Sequence, residues 1–402
     1  MGIMLSLVLL LCSCGTDKEV EKKAGESTST PSATASVTPL ISEDEAFSEA
    51  EKIVKTMTIE QKVGQMFLVD LLQLDASPSV DGTAYKATDS MKQAIIDYHL
   101  GGVYLTKENI KSQKQTKKLV QNLQASVVSG SALYVAVEED GGGENSISAK
   151  VEDLKDTGYV TPKEMGQNMT ANQIYESGKT IAGELTKIGI NLNLAPVADL
   201  ASDQNPSYAM RCLGSDADGV ADLLDDFVSG MREGGLSVTL KTFPGIGNVS
   251  ADVTESIAEN TDSLMTIRDT NFVPYASGIQ AGADCVMVSN AAYSKLTVKK
   301  VPAFMSQDIV TKLLREELGF DGIVMTSPLN DNVIENNYTN EFAVVEAVKA
   351  GCDLIVLPGN FKECYEALIT AVEEGRIDEK VINTSVRRIL QNKIQRGILV
   401  LE

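Results

Sequence analysis

From about residue 45 the chain alternates short apolar runs with longer amphipathic stretches. The runs are MFLVDLL from 66, GGVYLT from 101, LYVAVEED from 133, NLNLAPVAD from 191, SVTLKTFPG from 237, DCVMVSN from 284, DGIVMTS from 321 and DLIVLPG from 353. Each is rich in Val, Ile and Leu, as a strand covered on both faces should be. Between them, stretches such as NIKSQKQTKKLVQNLQASV, ADLLDDFVSGMREGG, QDIVTKLLREELGF and FKECYEALITAVEEG carry helical spacing, and Gly101, Gly235, Gly319 and Gly351 stand where helices should end. Eight such strand–helix units predict an α/β fold, a single-domain (β/α)8 TIM barrel. A doubly wound open sheet is the alternative that the same pattern allows.

A barrel places its chemistry at the C-terminal ends of its strands. Those ends carry Asp70, Thr106, Glu138-Glu139-Asp140, Asp199, Lys241, Asn290, Ser327 and Pro358. Any one of these could cap the following helix; as a set they predict a polar pocket at the barrel mouth. The only histidine, His99, precedes the second strand, away from that mouth, and reads as structural.

Composition narrows the picture. The 402 residues are 43% hydrophobic and 23% charged, with a formal net charge of −21. So acidic a surface argues against nucleic acid and against anionic headgroups as partners of the protein surface. Cys212, Cys285, Cys352 and Cys364 match no zinc spacing, so buried free thiols are expected, with no metal and no cofactor.

The N-terminus reads as targeting rather than structure. IMLSLVLLLCSCG is too short for a stable spanning helix and ends in Leu11-Cys12-Ser13-Cys14, which resembles a bacterial lipobox. By that resemblance residues 1–14 are a lipoprotein signal peptide, with Cys14 the lipidated residue. Residues 15–44, rich in Ser, Thr, Pro, Lys and Glu, read as a disordered tether, and 45–402 as the barrel. The expected location is extracytoplasmic, attached to the bacterial membrane through the lipid alone.

Nine segments follow one another in a recognisable order: TIEQKVGQMFLV, YHLGGVYL, VAVEEDGG, INLNLAPVADL, RCLGSDADGVADLLDDFVSGMREGGL, KTFPGIGNVSAD, LREELGFDGIVMTS, AVEAVKAGCDLIVLP and SVRRIL. Together they resemble the N-terminal barrel domain of glycoside hydrolase family 3, and most of all its β-N-acetylglucosaminidase (β-N-acetylhexosaminidase) branch. The resemblance runs to the end of the chain, so the second domain of many members is not expected. It implies a retaining mechanism through a glycosyl-enzyme intermediate. It also implies an N-acetylglucosamine-containing saccharide of cell-wall or chitin origin as partner.

The same resemblance shows what has changed. Where the branch has its nucleophile in Ser/Thr-Asp-Asp-Leu, this chain reads Thr326-Ser327-Pro328-Leu329, so Ser327 takes the nucleophile's place. Where the branch has its histidine-bearing acid/base loop, this chain reads KTFPGIGNVSADVTES. Lys241 and the orienting Asp252 are kept, while Thr242, Ile246 and Thr254 replace histidines, Thr254 the acid/base one, and Asn290 replaces another after the sixth strand. A threonine hydroxyl cannot shuttle a proton near pH 7 as imidazole does. Arg211 and Lys241 match sugar-contacting residues, Glu138 stands for a sugar-gripping Asp, and the Arg expected after EGG gives way to Gly143-Glu144. Salt bridging of Arg211 and Lys241 with Asp199 and Glu138 is the structural alternative to a ligand pocket.

Two functions therefore remain open. One is a catalytically impaired lipoprotein that binds a saccharide or acts as a scaffold. The other is a working glycosidase with a relocated carboxylate pair, for which Asp331 and Glu255 are the candidates.

Overall fold

The computed structural model describes residues 41–75, 84–127, 131–141 and 160–401. Each of the eight apolar runs supplies one parallel strand: β1 Phe67–Asp70, β2 Gly102–Tyr104, β3 Tyr134–Val137, β4 Leu192–Asn193, β5 Ser237–Phe243, β6 Cys285–Val288, β7 Ile323–Thr326 and β8 Ile355–Val356. They pair in chain order, and β1 also pairs with β8 through Phe67 opposite Ile355. A bridge between Met325 and Leu354 joins β7 to β8 and brings the ring round to a closed (β/α)8 barrel. The open-sheet alternative falls with that closure. A short parallel pair, Glu259–Asn260 with Ala292–Tyr293, lies outside the ring.

The strands are buried on both faces because helices cover the outside and their own side chains fill the inside. Tyr134–Val137 and Cys285–Val288 are wholly buried, and Phe67, Leu68 and Val69 are 0% exposed. Outside, the helix Ala217–Glu233 packs against its neighbours Ala171–Lys187 and Phe272–Gln280. Helix Glu43–Thr56 lies on the C-terminal helix Glu379–Gln395. The former helix starts at Glu43, with the Ser42 hydroxyl accepting the Glu45 N–H at 3.3 Å. Cys14 and most of the 1–44 leader and tether lie outside the described residues, as do Gly143 and Glu144.

The N-terminal end of the barrel is closed by buried polar groups. Lys393, 0% exposed, donates to Gln65 Oε1 at 2.8 Å and to the Gly101 carbonyl at 2.9 Å, and lies 4.8 Å from the Tyr134 ring centroid. Desolvation pushes its ammonium down to about 7. His99 belongs to this end, where its carbonyl accepts from Gln65 Nε2 at 2.7 Å. Gly101 is obligatory there: a Cβ would stand 2.0 Å from the Gln65 carbonyl oxygen. Cys212, Cys285, Cys352 and Cys364 are free and buried.

Candidate functional site

The opposite end of the barrel gathers the charged residues expected at the mouth. β3 runs directly into Glu138 and Asp140. β5 is the longest strand and shifts register between Leu240 and Phe243, within the stretch that carries Lys241. Arg211 comes from the long β4 connection, where a short turn capped by Asn205 fixes its backbone N–H on the Tyr208 carbonyl at 2.9 Å. Lys241 Nζ lies 2.6 Å from Glu138 Oε1 and 2.8 Å from Asp140 Oδ1. Arg211 donates from Nε to Asp140 Oδ2 at 2.7 Å and from its terminal nitrogen to Glu138, with the Tyr208 ring centroid 5.6 Å from its guanidinium carbon.

The electrostatics follow from this geometry. Burial alone would raise the Glu138 carboxyl, but Lys241 and Arg211 outweigh it and hold the group at about 2. Burial opposes the Arg211 charge, and Asp140 and Glu138 overcome it, so the guanidinium is well above its usual range. Lys241 is nearly enclosed, with 3% of its side chain exposed, whereas Arg211 keeps 39% and Glu138 40% facing solvent.

Asp199 is not a partner of these cations, which corrects one of the pairings expected from the sequence. It is 0% exposed and accepts from Tyr208 Oη at 2.9 Å, Tyr275 Oη at 2.9 Å, Thr242 N at 3.1 Å, Thr242 Oγ1 at 3.0 Å and Ile246 N at 3.0 Å. Burial raises its carboxyl against those five donors. It therefore anchors the first turn of the 241–256 loop, and Thr242 is engaged inward with it. Asp140 takes the place expected of Asp199. The roles of Tyr208 and Tyr275 carried no sequence signal, because neither stands at a strand end or in a motif.

The rest of the loop is laid on the segment after β7. Asp252 Oδ1 accepts from Thr254 N at 2.9 Å and from Thr254 Oγ1 at 2.7 Å. The Thr254 carbonyl accepts the Val333 N–H at 2.8 Å, and Asn332 Nδ2 donates to both Glu255 oxygens at 3.2 and 3.0 Å. Ser327 is 5% exposed, and both its N–H and its hydroxyl donate to the Val288 carbonyl at 2.9 Å. A hydroxyl that donates to a carbonyl has no base to take its proton.

Asn290 is 1% exposed and donates from Nδ2 to Asp331 Oδ2 at 2.8 Å. Burial raises the Asp331 carboxyl to about 7, helped by the nearby charges of Glu138, Asp252 and Glu255 and opposed by Asn290. Asp331 and Glu255 thus share one rim of the mouth, but each is held by a different asparagine and they are not hydrogen-bonded to each other. Among the described residues, no group of three or more His, Cys, Asp or Glu side chains is arranged to hold a metal ion.

Comparison with known proteins places this geometry. The model of the glycosyl hydrolase family 3 N-terminal domain matches residues 58–392. Beta-hexosaminidase A of Pseudoalteromonas piscicida is 26% identical over 369 residues, which cover 84% of this chain and 61% of that protein. The beta-hexosaminidase of Stenotrophomonas maltophilia (strain K279a) is 28% identical, over 75% of this chain and 85% of that one. A glycoside hydrolase family 3 beta-N-acetylglucosaminidase from Paenibacillus sp. str. FPU-7 superposes with a TM-score of 0.76 at 29% identity, covering 86% of this chain and 64% of its own. Beta-N-acetylhexosaminidase from Beutenbergia cavernae superposes with a TM-score of 0.72 at 28% identity, covering 84% and 98%. The chain thus spans less than two thirds of the length of the Pseudoalteromonas and Paenibacillus proteins.

Proposed function

The chain belongs to glycosyl hydrolase family 3, and from that premise we propose that it is a surface lipoprotein whose barrel binds a hexosamine-containing saccharide while its hydrolytic chemistry is impaired. The observation that carries this reading is Ser327. A retaining glycosidase needs a carboxylate that attacks the anomeric carbon and a second group that moves a proton to and from the leaving oxygen. Ser327 occupies the first position with a hydroxyl that donates to the Val288 carbonyl. The second position is Thr254, whose hydroxyl is engaged by Asp252. Loss of a nucleophile or its partner base costs on the order of 10⁴ to 10⁶ in rate.

Binding does not need those two groups. The Glu138–Asp140–Arg211–Lys241 cluster is complete, and Arg211 still presents 39% of its side chain to the mouth. Glu138 is one methylene longer than the aspartate it replaces, which supports an altered pocket rather than the ancestral grip. The lipobox-like Leu11-Cys12-Ser13-Cys14 supports a membrane-anchored location, with the barrel standing off on the tether.

The test pairs a chromogenic β-N-acetylglucosaminide with calorimetric titration of chitin- and chitosan-derived disaccharides. Saturable binding with turnover at least 10⁴-fold below that of an intact relative is the expected result. Turnover comparable to the relative's would overturn the impaired reading and favour the relocated carboxylates. No binding at all would leave a scaffold.

A further inference from the structure

If the mouth receives a saccharide, its unmatched groups say which kind. Asn290 is 1% exposed, and its Oδ1 has no hydrogen-bond partner among the described residues while its Nδ2 holds Asp331. A buried carbonyl oxygen in that state wants a donor. Asp331 itself is faced by carboxylates from two directions: Glu138 at the end of β3, and Asp252 and Glu255 on the loop after β5. The two cations of the mouth, Arg211 and Lys241, are both engaged by Glu138 and Asp140. The donors on the rim around Asp331 are neutral, from Asn290, Asn332 and Thr254, and among the described residues no salt bridge reaches Asp331, Asp252 or Glu255, so the rim carries an excess of negative charge. The Asp331 carboxyl, raised to about 7 by burial and by those three neighbours, reports the same imbalance.

An acetamido group answers poorly to such a rim, since it is neutral and offers one N–H. A primary ammonium offers three N–H donors and the missing charge. We propose that Asn290 and Asp331 form an ammonium-binding subsite, and that this barrel takes a saccharide with a free amino group, a de-N-acetylated hexosamine, in preference to its N-acetylated form. The ammonium donates to the Asp331 carboxylate and to Asn290 Oδ1, and Asp252, Glu255 and Glu138 act on it through their field.

The pH dependence follows. Below about 7 Asp331 takes up a proton and the rim loses its nearest charge. Above about 8, the usual range of an amine such as the chain's α-amino group, the sugar loses its own. Affinity for the amino sugar peaks near neutral pH and falls on both sides, whereas a neutral N-acetylated sugar has no reason to follow that profile. Asp252 and Glu255 are exposed, so their part of the field is screened by salt, with a Debye length of about 10 Å at 0.1 M.

The experiment titrates the full chain with β-1,4-linked diglucosamine and with its di-N-acetylated counterpart between pH 5.5 and 9, at low and high salt. The wild type is compared with Asp331→Asn and Asn290→Ala, each shown to fold by its melting transition. Expected is at least tenfold tighter binding of the free-amine sugar near pH 7.5. That preference should fall to threefold or less in Asp331→Asn, with a smaller loss at high salt and in Asn290→Ala. Equal affinities, or tighter binding of the N-acetylated sugar, would overturn the ammonium subsite and leave the saccharide reading standing. A preference that survives Asp331→Asn would overturn the assignment to this pair. Failure of both sugars to bind would overturn the subsite and the saccharide reading together.

Discussion

Replacing Lys241 with methionine tests whether the charge cluster is an integrated unit or a set of independent surface contacts. The side chain is 3% exposed and reaches Glu138 at 2.6 Å and Asp140 at 2.8 Å. Methionine keeps most of the volume and removes the charge, so packing changes little. Breaking a fully buried pair costs roughly 3–5 kcal/mol. The expected cost here is about 2–3 kcal/mol, because Glu138 is 40% exposed and Arg211 stays on both carboxylates. With an unfolding entropy of roughly 2.1 cal/mol/K per residue over a domain of this size, that lowers Tm by about 3–4 °C. The sign with pH is fixed by Glu138. Its folded pKa of about 2 lies below the ordinary glutamate value, so its stabilisation is present above pH ~4.3 and is lost as pH falls towards 2. Calorimetric melts of wild type and Lys241→Met should differ by a constant amount from pH 8 to 5, and the gap should begin to close only below about 4. A Tm within 1 °C of wild type at pH 7, or a gap that already closes between pH 8 and 5, would refute the reasoning.

Three further outcomes are expected. Ser327→Asp alone leaves hydrolysis of a chromogenic β-N-acetylglucosaminide at background, since Thr254 still cannot move a proton, and it lowers Tm because a carboxylate then faces the Val288 carbonyl in place of a donor; substantial turnover would show that another acid is in place. Lys393 has a folded pKa of about 7, below the value in the unfolded chain, so the unfolded state binds more protons between pH 7 and about 10 and stability rises with pH across that window. Denaturant midpoints at pH 7.5 and 9.5 should show that rise in wild type and not in Lys393→Met, and equal slopes would remove Lys393 as its source. Cys14→Ala should move the protein from the membrane fraction to the soluble one, and unchanged retention would sink the lipobox reading.

The barrel was legible because its signal is redundant. Each parallel strand is buried on both faces, so each appears as an unbroken apolar run, and eight of them leave few arrangements open. The winding of individual helices was less so. Residues 308–317 carry an ordinary amphipathic pattern, yet the helix is π-type, with the Leu318 N–H on the Leu313 carbonyl five residues back at 3.0 Å. Ten residues are too few for a pattern to separate the two windings. At the mouth, strand ends told which residues would converge but not which would pair. Arg211 and Lys241 choose Asp140 over Asp199 because Tyr208, Tyr275 and the loop backbone already fill Asp199's lone pairs. Asp331 and Glu255 share the rim but take different partners, Asn290 for Asp331 and Asn332 for Glu255.

If Ser327 and Thr254 stand where catalytic groups stood, as proposed, their local contacts explain how such a barrel would keep its fold. Each replacement finds a local partner: Ser327 the Val288 carbonyl, Thr254 the Asp252 carboxylate. Ser327 is buried and matched, and Thr254 lies exposed on the loop, so neither carries the destabilisation that attends an unmatched buried polar atom. Stability resides instead in the strands and in the closed N-terminal end, where Lys393, Gln65 and Gly101 interlock. Two oxygens at the mouth lack a hydrogen-bond donor among the described residues: Asp140 Oδ1, which has the Lys241 ammonium 2.8 Å away, and Asn290 Oδ1 beside Asp331, which has no such cation. On the reading proposed above, the positions of the hydrolytic groups are absorbed into the scaffold, while Asn290 brings a buried acceptor without a partner among the described residues. A substitution that only relaxed the mouth towards inert structure would be expected to satisfy that atom as well, and its lack of a partner is what the proposed ammonium subsite would explain.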